Sequence, residues 1–292
     1  HPMHAGTGEL ISSAIIKAVK ITKMPDGVFS NINSGGIQTG IDLINNPLVK
    51  AVGFTGSLKA GRSLLNLANE RNEPIPVFAE MGSINPVIIL PEILKTDWTN
   101  LATKYANSIT LGSGQFCTNP GIIIGIKSAY FTHFENSLAE KILDIAPSCM
   151  LHPNILRNYN KNKQEIISDK KVNIVANYDD DVEVNYSKQT LAKVKGSDFL
   201  INNDLQEEIF GPFSLLVECD NMSQLKSVVN KINGQLTGTI IASDNEISSN
   251  KDLIDILKER VGRIILNGVP TGVEVNASML HGGPYPASTD SR

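Results

Sequence analysis

Cys117 lies in "GQFCTNPG" (114–121), where bulky Phe116 precedes it and the turn formers Asn119, Pro120 and Gly121 follow. A loop of this composition can expose a thiol and aim backbone N–H groups at one point. Attack on a carbonyl carbon and stabilisation of the resulting oxyanion need both. The alternative is a small apolar side chain packed ahead of a loop, a common use of free cysteine. Glu80 closes the apolar strand pattern "IPVFAEM" (75–81), so its carboxylate should be partly desolvated and able to act as a general base. A strand-end glutamate pointing into water is the other reading. In "EEIFGPF" (207–213), Glu208 could accept hydrogen bonds from a sugar and Phe210 could lie against a flat ring. The bland version of that stretch is a surface loop.

"VGFTGSLKAGRS" (52–63) contains G-x-x-x-x-G-R-S, one residue away from a phosphate-binding loop. That motif needs a lysine ammonium on the phosphates, and Arg62 stands in its place, so nucleotide hydrolysis is disfavoured. What survives is a strand end, a Gly56 without Cβ and Ser57 at a helix start. Free N–H groups and the positive end of the helix dipole make such a place an anion site, unless Ser57 is simply a helix cap. The five histidines, His1, His4, His133, His152 and His281, show no metal-ligand spacing, and no metal is expected.

These residues need a scaffold, and the pattern around them supplies one. Helix signals at 8–20, 36–46 and 57–70 alternate with strand signals at 27–32, 49–55 and 75–81. Strands separated by helices of this length imply βαβ units and a parallel sheet, which binds ligands at the carboxyl ends of its strands. A second α/β series follows: strands at 86–91, 122–126, 214–220, 238–244 and 263–268, with helices at 96–111 and about 128–146. The polar stretch 160–205 reads as surface loops or short exposed strands. Two α/β domains result, with the change near 80–86.

The composition fits a soluble globular protein: 292 residues, 41% apolar, 19% charged and a net charge of −4. Mild acidity gives no footprint for nucleic acid or an anionic membrane surface, and no apolar run approaches the roughly 18 residues of a membrane span. Cys117, Cys149 and Cys219 are odd in number and far apart, which suits a reducing, cytoplasmic compartment.

Taken in order, "GFTGS", "AEMGSINP", "GQFCTNPG", "EEIFGP" and the late "ILNG" resemble the aldehyde dehydrogenase superfamily. Each motif is weak by itself; five in the right order, with 36 residues between Glu80 and Cys117, are specific. "HPMHAGTGEL", "NGVPTGVEV" and "HGGPYPAS" look most similar to the ketoglutaric semialdehyde (2,5-dioxovalerate) dehydrogenase branch. The resemblance implies part of a Rossmann-type cofactor domain over 1–80 followed by an α/β catalytic domain over 81–292. It implies Cys117 as nucleophile, Glu80 as the base for the deacylating water, Gly56 and Ser57 at the cofactor pyrophosphate, Glu208 on a ribose and Phe210 beside the nicotinamide. The expected cofactor is NADP or NAD, with NADP favoured by the branch. The expected substrate is a small aldehyde such as 2,5-dioxopentanoate, and the expected assembly a dimer or tetramer.

Against the family pattern the chain looks short at both ends. The Asn that completes the oxyanion hole, a cofactor-binding Lys and a subunit-pairing strand would lie outside it. Two further readings of the same residues are a catalytically impaired fragment that only binds nucleotide, and a thiol esterase without redox chemistry. Arg71 and Arg157 are the candidate cations for a substrate carboxylate, no better than solvated surface residues.

Overall fold

The computed structural model describes residues 5–290 apart from 273, 275, 278 and 280. His1 and His4, and the parts of "HPMHAGTGEL", "NGVPTGVEV" and "HGGPYPASTDSR" at 1–4, 273, 275, 291 and 292, lie outside the described residues. The chain divides into two compact units, one of residues 1–52 and 62–77, the other of 53–61 and 78–292.

The first unit carries helices α1 (Ala5–Ile21) and α2 (Gln38–Asn45) and the greater part of α3 (Leu58–Asn69). The helix signal at 8–20 is met by α1, which buries Ser12 and leaves Leu10, Ile11, Ile16 and Ile21 exposed. The Arg71 guanidinium donates to the carbonyls of Ile44, Val49 and Glu73, tying the turn after α3 to the end of α2. It is therefore spent on backbone carbonyls of its own unit. The strand expected at 27–32 does not form there. An isolated extended segment has no ladder of hydrogen bonds to hold it, whatever its side chains prefer.

The second unit holds all but the first residue of each strand of the two-stranded sheet β1 (Val52–Thr55) and β2 (Val77–Glu80), and a larger sheet. The larger one uses β3 (Val87–Ile89), β4 (Ile122–Ile126), β6 (Asn173–Asn177), β8 (Thr190–Lys195), β9 (Phe213–Cys219), β10 (Gln235–Ile241) and β11 (Val261–Leu266). Short strands β5 (Ser148–Cys149) and β7 (Tyr186–Ser187) pair separately. Seven strands run in the order β11-β10-β3-β4-β9-β8-β6, all neighbours parallel except β6 against β8. Alternate residues of each strand point to opposite faces. Val87, Ile89 and Ile123 therefore pack on one side with α4 (Pro91–Thr110) and α5 (Ala129–Leu143). Ile88, Ile122 and Ile124 pack on the other with α6 (Pro153–Ile167), α7 (Gly196–Ile201), α8 (Met222–Lys231) and α10 (Lys251–Lys258), the last reached through α9 (Asp244–Ser249). Both faces are apolar, as a parallel sheet covered by crossover helices requires. At Gly125 a Cβ would lie 2.2 Å from the Phe131 ring, so this glycine lets α5 seat against β4.

The segment 160–205 is more regular than its polarity suggests. It contains most of α6, then β6, β8 and α7, and Thr190, Leu191, Ala192 and Val194 of β8 are buried. "TLAKVK" reads as exposed because of its lysines. Lys193, however, is held by Glu135 at 2.9 Å and Glu218 at 3.8 Å, so its charge is carried inside the fold.

The parallel-sheet rule holds for only part of the molecule. Gly56 and Glu80 do lie at the carboxyl ends of β1 and β2. The loops carrying Ser83–Asn85, Cys117 and Glu208, in contrast, lead into β3, β4 and β9, at the amino ends of the larger sheet's strands.

Candidate functional site

The loop that presents Cys117 runs from the end of α4 to β4 and begins with three left-handed residues, Gly112, Ser113 and Gly114, at φ 55°, 59° and 65°. Glycine takes this region freely, whereas Ser113 is strained by roughly 1–2 kcal/mol. Ser113 is held there because its buried Oγ pairs with Ser148 Oγ at 2.6 Å and the Cys149 carbonyl at 3.2 Å. At Gly114 a Cβ would fall 2.2 Å from the Gly211 carbonyl carbon, so the Cys117 loop and the Glu208 loop meet backbone to backbone. Past the turn, Asn85 Nδ2 donates to the carbonyls of Cys117 and Asn119, each at 2.9 Å. Asn85 is itself fixed by Thr237 Oγ1, which donates to its Oδ1 at 3.0 Å, and Gln235 Oε1 accepts from the Ile84 N–H at 2.6 Å.

Cys117 is half-buried. Burial pushes its thiol up from the ordinary range, and the charges of Glu80 and then Glu208 add to the push. The backbone N–H groups of Cys117 and Thr118, aimed at the sulfur, pull the other way. The thiol is therefore mostly protonated at neutral pH, and a thiolate forms only where something nearby takes the proton or offsets its charge.

Glu80 sits at the end of β2 and does not point freely into water, since its side chain is 18% exposed. A C-terminal strap holds the strand. Met81 N–H donates to the Ala287 carbonyl at 2.7 Å, Thr289 N–H to the Ala79 carbonyl at 2.9 Å, and Ala79 N–H to Thr289 Oγ1 at 2.8 Å. The strap enters over glycines: a Cβ on Gly262 would lie 1.8 Å from the Gly282 carbonyl oxygen, and one on Gly283 would lie 2.1 Å from that of Gln235. Its first residue, His281, reaches both earlier candidates. The His281 Nε2 lies 3.1 Å from Glu80 Oε1 and 3.6 Å from Cys117 Sγ. His281 was not singled out from the sequence. It stands 164 residues from Cys117 and no local spacing joins them, so only the strap reveals it.

Glu208 is partly buried beside this group. Its Oε1 accepts the Ser83 N–H at 3.3 Å, and its Oε2 lies 2.6 Å from where a Cβ on Gly82 would stand. Burial raises the carboxyl to about 7, the Ser83 N–H opposes that, and the Glu207 charge adds to it. Glu208 and Phe210 share a cavity with Ser83, Ile84, Phe116 and Phe213; Cys117 and Glu80 are not in its lining. Gly56 donates its N–H to the Glu80 carbonyl at 3.1 Å, so the Gly56–Ser57 turn adjoins the end of β2. Ser57 Oγ accepts the Ala60 N–H at 3.3 Å, which makes Ser57 a helix cap, as one of the two sequence readings had it. Gly61 and Arg62 of the near-miss phosphate motif lie inside α3, where Gly61 packs on Met81.

Comparison with known proteins bears on this arrangement. The profile of the aldehyde dehydrogenase family matches residues 5–285. Alpha-ketoglutaric semialdehyde dehydrogenase of Acinetobacter baylyi is 40% identical over 293 residues, covering 100% of this chain and 55% of that protein. Alpha-ketoglutaric semialdehyde dehydrogenase 2 of Azospirillum brasilense is 37% identical over 290 residues, covering 99% of this chain and 55% of that protein. A crystal structure of a betaine aldehyde dehydrogenase variant from Staphylococcus aureus in complex with NAD+ superposes with a TM-score of 0.80 at 17% identity, covering 96% of this chain and 56% of that one. The chain thus spans about half the length of the curated relatives it matches.

Proposed function

The chain belongs to the aldehyde dehydrogenase family, and from that membership we propose that it carries the thiol site of an enzyme oxidising a small aldehyde to its acid. One observation supports the reading above the others: the Glu80 carboxylate and Cys117 Sγ, 37 residues apart in sequence, lie within 4.8 Å of one another.

The chemistry follows from the groups present. Cys117 Sγ, as thiolate, adds to the aldehyde carbon and forms a thiohemiacetal. The backbone N–H groups of Cys117 and Thr118 are positioned to stabilise negative charge at this point. Loss of hydride and a proton leaves a thioester on the same sulfur. Glu80 takes a proton from an incoming water, which attacks the thioester carbon and releases the acid with the thiol restored.

A nicotinamide cofactor, when bound, supplies the hydride acceptor. The residues present fit such a group. Glu208 offers a carboxylate with one oxygen beyond its Ser83 bond, next to a glycine where any side chain would intrude. Phe210 offers an aromatic face in the same cavity. The start of α3 after Gly56–Ser57 offers backbone N–H groups to phosphate oxygens. In this reading Glu208 holds a ribose, Phe210 packs by the nicotinamide and Gly56–Ser57 lie at the pyrophosphate. The names of the relatives favour a semialdehyde of a keto acid, such as 2,5-dioxopentanoate, as substrate. NADP is the cofactor favoured over NAD, on the likeness to that branch.

Intact mass spectrometry tests the reading. The protein is mixed with 2,5-dioxopentanoate and NADP, then with NAD, then with neither. The expected product is an adduct on Cys117 two hydrogens lighter than the simple addition product, formed only with nucleotide and absent in Cys117→Ser. Hydrolysis of an acyl ester through Cys117 at a rate indifferent to nucleotide, without the lighter adduct, points to thiol esterase chemistry instead. Nucleotide binding without any adduct points to a binding fragment.

A further inference from the structure

Three unlike donor atoms converge at the mouth of this site. A carboxylate oxygen of Glu80, Sγ of Cys117 and a ring nitrogen of His281 all lie within 4.8 Å of one another. The detail that matters is which nitrogen does what. In a proton relay the two ring nitrogens divide the work, one facing the nucleophile and the other the orienting carboxylate. Here Nε2 alone faces both neighbours, at 3.6 Å from Sγ and 3.1 Å from Oε1. A single nitrogen has one lone pair or one proton to offer, so it cannot pass a proton from one partner to the other through the ring. Three ligand atoms this close to one another suit a cation among them, once the thiol proton has been displaced.

The spacing agrees with a specific kind of cation. Tetrahedral zinc bound at about 2.3 Å to sulfur and about 2.0–2.1 Å to nitrogen and oxygen sets S and N about 3.6 Å apart, and N and O about 3.3 Å apart. The observed separations are 3.6 Å and 3.1 Å, and the remaining edge, from the Glu80 oxygen to Sγ, lies within 4.8 Å and would draw in to about 3.6 Å on a bound ion. A thiolate–imidazole–carboxylate set selects zinc-like metals over magnesium or calcium, which prefer oxygen alone. The site is also reachable, with the side chains of His281 and Glu80 29% and 18% exposed.

We propose that Glu80, Cys117 and His281 form a binding site for a thiophilic divalent cation of the zinc class, which caps the Cys117 sulfur and withdraws it from reaction. Binding replaces the S–H bond by a sulfur–metal bond, releases that proton to solvent and changes no oxidation state. Three protein ligands leave the fourth position to water. The site reads as a reversible cover on the nucleophile: metal excludes carbonyl carbon and alkylating or oxidising agents alike, and a chelator restores access.

The test needs neither aldehyde nor nucleotide, so it stands or fails separately from the dehydrogenase reading. Zinc is titrated against a fluorescent chelator into the chain carrying Cys149→Ser, which removes an exposed thiol outside the site. One ion per chain is expected, with affinity reduced at least tenfold in His281→Ala and in Cys117→Ser and largely kept in His281→Cys. Cobalt is expected to give thiolate-to-metal absorption that Cys117→Ser abolishes. Zinc should slow alkylation of Cys117 by iodoacetamide at least tenfold, and EDTA should reverse this. Affinity unchanged in both ligand variants, or a cobalt complex without the sulfur band, overturns the proposal.

Discussion

The side-chain amide of Asn85 donates a 2.9 Å hydrogen bond to the backbone carbonyl of Cys117, tying the residue that presents the thiol to the stretch that leads into β3. The same amide holds the Asn119 carbonyl, so one buried side chain clamps the loop at two points. Asn85 also occupies the left-handed region at φ 45°, which asparagine tolerates better than most residues.

Asn85→Gly separates the side-chain bonds from the backbone conformation, because glycine accepts the backbone and removes both loop bonds together with those to Ser83 and Thr237. The Asn119 carbonyl keeps the Gly121 N–H, so the loss falls on the Cys117 carbonyl and should cost about 1–3 kcal/mol. Asn85→Ala should cost more, since it adds strain at φ 45°. Urea midpoints of the two variants check the order; equal midpoints would show that the backbone conformation does not matter here.

Glu208 gives stability a pH dependence of unusual sign for a carboxylate. Its folded value is about 7, above the ordinary 4.5. Between those values the native chain keeps a proton that the unfolded chain releases, so stability falls as pH rises through the window and levels off above it. The ceiling is about 3 kcal/mol. Glu208→Gln should flatten this slope between pH 4.5 and 7 in thermal melts, and a parallel slope in the variant would place the proton elsewhere.

Gly262 is expected to control the site from a distance. A methyl group there would overlap the Gly282 carbonyl oxygen, displacing the strap that begins at His281. Gly262→Ala should destabilise the fold by about 1–3 kcal/mol and weaken zinc binding although every metal ligand is intact. Zinc affinity equal to that of the parent would show that the strap does not position His281.

Lys163 offers a check remote from the site. Burial lowers its ammonium to about 8, the Lys188 charge adds to this, and Asp179 opposes it. It lies 4.7 Å from the centre of the Tyr159 ring. Near pH 8 a far larger share of Lys163 is neutral than of an ordinary lysine, so amine acylation followed by peptide mapping should find it modified ahead of exposed lysines at equal reagent. Slower modification than theirs would mean that burial blocks the reagent more than it frees the amine.

Much of the architecture was legible before any coordinates. Continuous apolar runs such as "IIIGI" mark strands buried on both faces, and β4 occupies Ile122–Ile126 as read. Local signals also located the turn before α3 and the loop of Cys117, because glycine, proline and asparagine act through their own backbone conformations. Non-local balance was not legible. β8 reads as polar until Glu135 and Glu218 are seen to hold Lys193. The strand expected at 27–32 has the right side chains and did not form, since pairing and not propensity makes a strand.

The same division runs through the site. The sequence by itself determined the kinds of chemistry available: a thiol in a turn, carboxylates at Glu80 and Glu208, a helix start at Ser57, and motifs in the order of one family. Those features are short, and each carries its meaning within a few residues. Tertiary structure alone decided that Glu80, Cys117 and His281 share one point, and that one imidazole nitrogen faces both other groups. Distances across 164 or 201 residues are set by how strands stack and how closely glycines let backbones approach. No local pattern encodes them, because they are properties of packing.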